Sequence, residues 1–202
     1  MPVGRVNLLV TGLSTIVRTE GPPAVAERAA VVFDRYRYPD WLREHSRLVG
    51  RIAGLLAAAS AEAGVAVDVP AVTLAGYLHD IGKSPLLAGD ARPHEALSAF
   101  VLAAEGFPDL VEPARRHPVY APLDPALIPR TLAERIVYLA DRRGGQSVVS
   151  LDDRFAEQAA RHPGFAAQRP AELAAARAIE AAVFAPLPFG PDALAARLAD
   201  AE

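Results

Sequence analysis

The sequence predicts an all-α fold, an irregular bundle of about eight to ten helices. Three observations carry this prediction. Apolar residues recur at spacings of three and four along most of the 202-residue chain. No segment shows the clear alternation of apolar and polar residues that is typical of a half-buried strand. Proline and glycine interrupt the helical pattern at uneven intervals, and neither an internal repeat nor a heptad register emerges.

Residues that start and end helices divide the chain into individual elements. Proline suits the first helical turn, which predicts starts near Pro22 and Pro70, and glycine predicts ends at Gly64 and Gly106. The apolar stripe nearest the N-terminus is rich in β-branched residues, so a strand is an alternative there. Helices are expected at residues 6–17, 22–36, 40–64, 70–82, 94–105, 109–117, 131–143, 170–184 and 191–200, with Asp40 capping the third and a capping box at Ser150 opening one more.

Composition limits the class of protein. The chain is 51% hydrophobic and 22% charged, as in a globular protein, and its formal net charge of −3 gives no reason to expect nucleic-acid binding. The absence of cysteine excludes disulfides and thiolate metal sites and permits a reducing cytoplasm. The apolar segment near the N-terminus is a poor secretory signal and too short to span a bilayer. We therefore expect a cytoplasmic protein without a membrane partner.

Four of the five histidines occupy inward-facing positions on four successive predicted helices. These are His45, His79, His94 and His117, whereas His162 lies outside the pattern and is expected at the surface. A single inward-facing histidine is most simply a core residue with one hydrogen-bond partner. Four of them are different, because buried imidazoles without partners are costly and one metal site satisfies several at once.

Two carboxylates and one lysine stand close to this pattern. Asp80 completes a His-Asp pair at the end of an apolar helix, so that both side chains can face one centre. Asp141 follows the apolar run YLA late on its helix, and a surface ion pair with Arg142 or Arg143 is the alternative for it. Lys83, the only lysine of the chain, follows Asp80 by three residues.

The order His … His-Asp … His … His … Asp, with HDIGK written in full at residues 79–83, resembles the HD superfamily of metal-dependent phosphohydrolases. The resemblance covers about half of the chain, and it implies an HD-domain-like all-α fold and one or two divalent transition-metal ions (Mn, Fe, Co, Ni or Zn). Many relatives have lysine where this chain has Arg142. Asp80 matches the residue that bridges both ions in relatives with two metals. The side chains that the resemblance implies as ligands are His45, His79, Asp80 and Asp141 for the common ion and His94 and His117 for a second one.

The resemblance also suggests a domain organisation. We expect a single domain, in which an N-terminal helical extension (1–36) and C-terminal helices (161–202) flank an HD metal-site core (37–160). Residues 1–36 and 163–202 carry no resemblance that we can use.

Phosphoester cleavage then suggests roles for individual residues. Divalent ions bind phosphate oxygens and lower the pKa of a bound water. Asp80 and Lys83 are the predicted catalytic residues, and Lys83, Arg116 and Arg142 are the predicted phosphate contacts, with solvated surface as the alternative for each cation. The expected substrate is a nucleotide or another small phosphorylated metabolite. Two other functions remain open, a diiron HD-fold oxygenase with the same six ligands and a nucleotide-binding regulatory module with little turnover.

Overall fold

The structure of the protein, a computed structural model, describes residues 21–201. Within that range it contains nine α-helices and no β-strand, which confirms the predicted all-α class. The helix expected at residues 6–17 lies outside the described residues. The helices are α1 (Pro22–Arg35), α2 (Asp40–Glu62), α3 (Val69–Leu78), α4 (His94–Ala104), α5 (Pro108–Arg115), α6 (Leu132–Arg143), α7 (Leu151–Arg161), α8 (Arg169–Phe184) and α9 (Leu194–Ala199).

Short one-turn 3-10 helices lie in the connections of the same part of the chain. They are Ile81–Lys83, Pro85–Leu87, Ala121–Leu123, Pro163–Phe165 and Pro191–Ala193. The first of them replaces the end of the helix that was expected to continue to Gly82. In the structure α3 ends at Leu78, and the His-Asp pair lies between α3 and the 3-10 turn.

The helix caps differ from the predicted ones in two places. Pro39 is the N-cap of α2, and Asp40 is its first helical residue. The negative charge of Asp40 stabilises the helix there, because it lies at the positive end of the helix dipole. The full capping box belongs to α6, where Thr131 and Glu134 satisfy each other's backbone N–H groups. Ser150 does cap α7, by accepting a hydrogen bond from a backbone N–H of the first turn.

The core is centred on α2 and α3, which pack closely against each other. Gly76 of α3 makes this approach possible, because a Cβ there would lie 2.7 Å from the Cβ of Ala53 and 3.0 Å from the Cα of Gly50 on α2. Helix α6 packs against both α2 and α3, and α8 packs in turn against α6 and α7. None of the helices between residues 21 and 201 is both long and apolar enough to cross a membrane.

Candidate metal centre

The structure brings together all six side chains that the sequence predicts as metal ligands. They lie near the ends of five helices, and together they are called the metal centre below. His45 lies near the start of α2, His79 and Asp80 follow α3, His94 opens α4, His117 follows α5, and Asp141 lies in the last turn of α6. The protein buries most of them, and only His45 and His94 are partly exposed.

Asp80 lies in the middle of the centre, with one carboxylate oxygen facing each half. Its Oδ2 is 3.3 Å from His79 Nε2 and 3.7 Å from His45 Nε2. Its Oδ1 is 3.3 Å from His117 Nε2 and 3.6 Å from His94 Nε2. Two ligands that each lie about 2.1 Å from one ion are roughly 3.0–3.4 Å apart, so the two separations of 3.3 Å suit atoms that share a cation. All four separations are longer than ordinary hydrogen bonds.

Asp141 closes the half of the centre that contains His45 and His79. Its Oδ1 is 3.1 Å from His45 Nε2 and 3.7 Å from His79 Nε2. Its Oδ2 accepts a hydrogen bond from the guanidinium of Arg142. The ion pair with Arg142 therefore forms, but it is buried and not at the surface as the alternative supposed. It leaves the other oxygen of Asp141 to the histidines.

Backbone carbonyls fix which nitrogen of two histidines faces the centre. His79 Nδ1 lies 2.8 Å from the carbonyl oxygen of Gly76, and His117 Nδ1 lies 2.5 Å from that of Ala114. A carbonyl oxygen only accepts, so each Nδ1 carries the proton and donates it. In the neutral form of either ring, the bare lone pair of Nε2 therefore faces Asp80, and this is the form that ligates a metal.

His94 shows the same arrangement with a carboxylate as the acceptor. Its Nδ1 is 3.2 Å from Glu95 Oε2, and Glu95 Oε1 accepts a hydrogen bond of 2.7 Å from the Tyr120 hydroxyl. Burial and the neighbouring His117 lower the pKa of His94 to about 4, so its ring is neutral near pH 7. The two Nε2 atoms of His94 and His117 then face each other at 3.2 Å as lone pairs, which repel unless a cation lies between them.

Two buried atoms of the centre have no hydrogen-bond partner in the protein, His79 Nε2 and Asp80 Oδ1. Leaving a buried polar atom unpaired costs about 1–3 kcal/mol, and a bound cation would remove that cost. Three overlapping groups of three side chains, all drawn from the six, have ligand atoms within 4.8 Å of one another. The imidazole and carboxylate donors therefore fit a transition-metal ion of the kind that the sequence predicts.

The electrostatics of the centre also favour positive charge. Burial would lower the pKa of His79, yet Asp80 and Asp141 outweigh it and raise that pKa to about 10. Burial likewise opposes ionisation of the two carboxyls, but their cationic neighbours hold the pKa of both Asp80 and Asp141 well below the usual range. The field that holds a proton on His79 would hold a divalent ion as well, and such an ion would displace the proton.

The HDIGK segment positions His94 through its glycine. A Cβ on Gly82 would lie 2.2 Å from the carbonyl oxygen of His94 and 2.8 Å from the backbone nitrogen of Ser98. The N–H of Gly82 also donates to Ser98 Oγ at 2.9 Å. Only glycine lets the 3-10 turn lie directly on the first turn of α4, and this contact places His94 next to Asp80.

A cavity of about 280 Å³ opens over the exposed side of the metal centre. Lys83 and Arg142, two of the three predicted phosphate contacts, lie in its wall. Lys83 Nζ donates to Asp80 Oδ2 at 2.7 Å, and its side chain is 36% exposed. Arg142, in contrast, is buried beside Asp141.

Arg116, the third predicted phosphate contact, does not line this cavity. Its guanidinium donates to Glu112 at 2.6 Å and to the carbonyl oxygens of Ala126 and Ile128 at 3.2 and 3.0 Å. The side chain is buried, and it ties the loop after Leu123 to α5. The prediction placed it at the site because it precedes His117, but the ring and the guanidinium leave the backbone in different directions.

Sequence reasoning missed a further part of the cavity wall. The missed residues are Arg154, Gln158, Arg161, His162 and Arg169, on α7, at the start of α8 and between them. The signal was present in part, because residues 154, 158 and 161 share one face of a helix, but a polar helical face is usually solvated. His162 is exposed, as expected, although it borders the cavity.

Fold and site together define an all-α protein whose helix ends bring together a paired His/Asp cluster with donors that fit metal ions. In a comparison with protein families, the sequence model of the HD domain family matches residues 42–143, which is half of the chain. The chain therefore belongs to the HD domain family, and the resemblance seen in the sequence is confirmed. Neither the curated proteins nor the solved structures with which the chain was compared gave a match.

Proposed function

We propose that this protein is a metal-dependent phosphohydrolase that acts on a nucleotide or another small phosphorylated metabolite. One observation carries the proposal: Asp80 presents one oxygen to His45 and His79 and the other to His94 and His117. A carboxylate shared in this way is the arrangement that two-ion hydrolases use. Family membership supports the proposal, because HD domain proteins are mostly metal-dependent phosphohydrolases.

The residues of the centre suit this chemistry. Divalent ions held by the six side chains would polarise a phosphoryl oxygen and lower the pKa of a bound water. The carbonyl contacts of His79 and His117 and the Glu95 contact of His94 keep the rings oriented before any substrate arrives. The burial of Asp80 keeps bulk water away from the carboxylate on which both halves depend.

Two cations beside the centre are proposed to bind the phosphate. Lys83 is anchored at the rim by Asp80, and its partly exposed ammonium can turn towards an oxygen in the cavity. Arg142 is held by Asp141, and its buried Nε–H has no partner in the protein. Both would offset the charge of a phosphoryl group during its transfer.

The size of the cavity supports a compact substrate. Its volume of about 280 Å³ is close to the lower limit of common ligand pockets, roughly 300–1,000 Å³. A phosphorylated metabolite or a single nucleotide is of this order, whereas a nucleic-acid strand would need an open groove. This agrees with the net charge of −3, which offers no general attraction for nucleic acid.

The test combines metal analysis with a phosphate-release screen on the same preparations. Elemental analysis of the wild-type protein should find one or two transition-metal ions per chain, and a panel of nucleotides and sugar phosphates should contain a substrate. Asp80→Ala should lose both the metal and the activity, because it removes the carboxylate common to both halves. His162→Ala is the matched control for metal content, because its imidazole belongs to none of the three candidate ligand groups.

The opposite results are equally clear. Wild-type protein that binds no transition metal, or Asp80→Ala protein that retains its metal and its activity, would contradict the proposal. Iron in the protein, together with oxygen uptake on adding a substrate and no phosphate release, would identify oxygenase chemistry in its place.

A further inference from the structure

The cavity over the metal centre has a second wall that lies beyond the region matched by the family. Arg154, Gln158 and Arg161 of α7 and Arg169 of α8 line it, and all four follow residue 143, where the family match ends. The spacing of four and three residues puts the three α7 side chains on one helical face. Phe155, which is 3% exposed, anchors the same helix in the core.

This wall carries more positive than negative charge towards the cavity. Arg154 and Arg161 share a single carboxylate, that of Glu157. Arg169 pairs with Glu172 of its own helix. All three arginines line the cavity, whereas neither glutamate does.

Several polar atoms of the cavity walls are buried without a hydrogen-bond partner. They are the Nε–H groups of Arg154 and Arg169 and the Oε1 atom of Gln158, and Arg142 on the opposite wall has a further unpartnered Nε–H. The Arg142 side chain is only 7% exposed, so bulk solvent hardly reaches it. The three Nε–H groups are donors, whereas the Gln158 oxygen only accepts. Buried donors without partners are rare in folded proteins, and three of them around one cavity indicate an anionic ligand.

We propose that α7 and α8 form a subsite for a second phosphate group of the substrate, which stays bound while the phosphoester at the metal centre is cleaved. The subsite consists of Arg154, Arg161 and Arg169, with Gln158 beside them. The inference rests on the proposed function and narrows it to substrates with at least two phosphate groups, such as nucleoside diphosphates and triphosphates or bisphosphorylated metabolites. Arginine suits the task, because its planar fork binds phosphate through two parallel hydrogen bonds.

Binding of inorganic phosphates tests the subsite without requiring a known substrate. The affinities of orthophosphate, pyrophosphate and tripolyphosphate for the full-length protein are measured by isothermal titration calorimetry, with the metal content determined before and after each titration. The wild-type affinity should rise with the number of phosphates. Arg154→Gln and Arg161→Gln should each weaken tripolyphosphate binding about ten- to hundredfold and leave orthophosphate binding unchanged.

The variants are chosen so that folding does not decide the result. Glu157 is 43% exposed and tolerates the loss of an arginine partner, whereas Arg169 is left intact because its partner Glu172 is buried. Arg177→Gln is the control, because Arg177 is an exposed arginine of α8 that pairs with Asp152 away from the cavity. It should bind all three phosphates as the wild type does, and equal melting temperatures show that the variants are folded.

Two results would overturn the inference. The first is that the affinity of both Arg154→Gln and Arg161→Gln rises with the number of phosphates as it does in the wild type. The second is that succinate binds as tightly as pyrophosphate, which would make the wall a site for carboxylates. The phosphate-release screen separates this inference from the proposed function. If the protein binds polyphosphates selectively but hydrolyses nothing, the proposed function is contradicted and the subsite stands. If both variants hydrolyse substrates with one phosphate and with three phosphates equally efficiently, the subsite alone is contradicted.

Discussion

Replacing Gly82 by alanine is expected to move α4 and to disrupt one half of the metal centre. The backbone of Gly82 does not have the positive φ that favours glycine, so the limit is one of space. An added Cβ would lie 2.2 Å from the carbonyl oxygen of His94. Carbon and oxygen atoms in contact are about 3.3 Å apart, so the two backbones must separate by roughly 1 Å. Neither of them is a flexible side-chain end that could turn aside.

The size of the effect follows from this contact. Overpacking of a tight site costs about 1–3 kcal/mol, and losing the bond from the Gly82 N–H to Ser98 Oγ costs about 1 kcal/mol more. A total of about 2–4 kcal/mol corresponds to a fall in melting temperature of roughly 4–16 °C for a chain of this length. A displacement of about 1 Å at a catalytic group can also lower the rate about a hundredfold.

Calorimetry and metal titration measure the two effects separately. Gly82→Ala should melt earlier and should bind metal more weakly through the half of the centre that contains His94. Gly190→Ala is the matched control, because a Cβ there meets nothing within 4 Å and its φ of −93° suits alanine. A Gly82→Ala protein with the melting temperature and metal affinity of the wild type would refute the reasoning.

Three further changes separate catalysis, metal binding and stability. Lys83→Ala should lower kcat about ten- to a thousandfold, with unchanged metal content and melting temperature, and Lys83→Arg should recover only part of this loss. Full turnover in Lys83→Ala would show that the lysine takes no part in catalysis. Glu95→Gln should weaken metal binding about ten- to hundredfold in chelator competition, because the ring of His94 loses a charged acceptor; equal affinity would contradict this. Arg116→Gln should destabilise the fold by about 1–3 kcal/mol in denaturant unfolding without changing kcat, because the carbonyls of Ala126 and Ile128 lose their donor. The exposed Arg115→Gln should change neither stability nor kcat. A lower kcat with unchanged stability in Arg116→Gln would return that residue to the site.

The metal centre was largely predictable because its ligands are few, chemically distinctive and fixed in order along the chain. Inward-facing histidines such as His45 and His94 stand out against the apolar residues around them. The roles of the individual nitrogens were not predictable. That His79 and His117 present Nε2 depends on carbonyl oxygens of Gly76 and Ala114, whose position follows from where two helices end. Sequence periodicity locates helix ends only to within a few residues.

Cationic residues were predicted less well, because the sequence does not show which way a long side chain turns. Arg142 and Arg116 both adjoin a predicted ligand, yet only Arg142 lines the cavity. Arg116 is held by Glu112 and by carbonyl groups of a loop 10 and 12 residues further along the chain. Arg154 and Arg161 were overlooked for the opposite reason, since a polar face of α7 looks solvated until α8 and the metal centre are placed beside it.

On the proposed function and subsite, metal binding and substrate choice depend on different parts of this chain. The six side chains of the centre lie between His45 and Asp141, within the matched family region, and their geometry depends on short contacts among helix ends. The arginines of the opposite wall come from α7 and α8, which reach the centre only because α8 packs against α6 and α7. We therefore expect changes in α7 to alter which phosphorylated compound is held without moving a proposed metal ligand, and changes at Asp80 to affect every substrate. Family membership supports the proposed hydrolysis through the metal centre, and the proposed subsite makes the C-terminal helices the place to look for the choice of substrate.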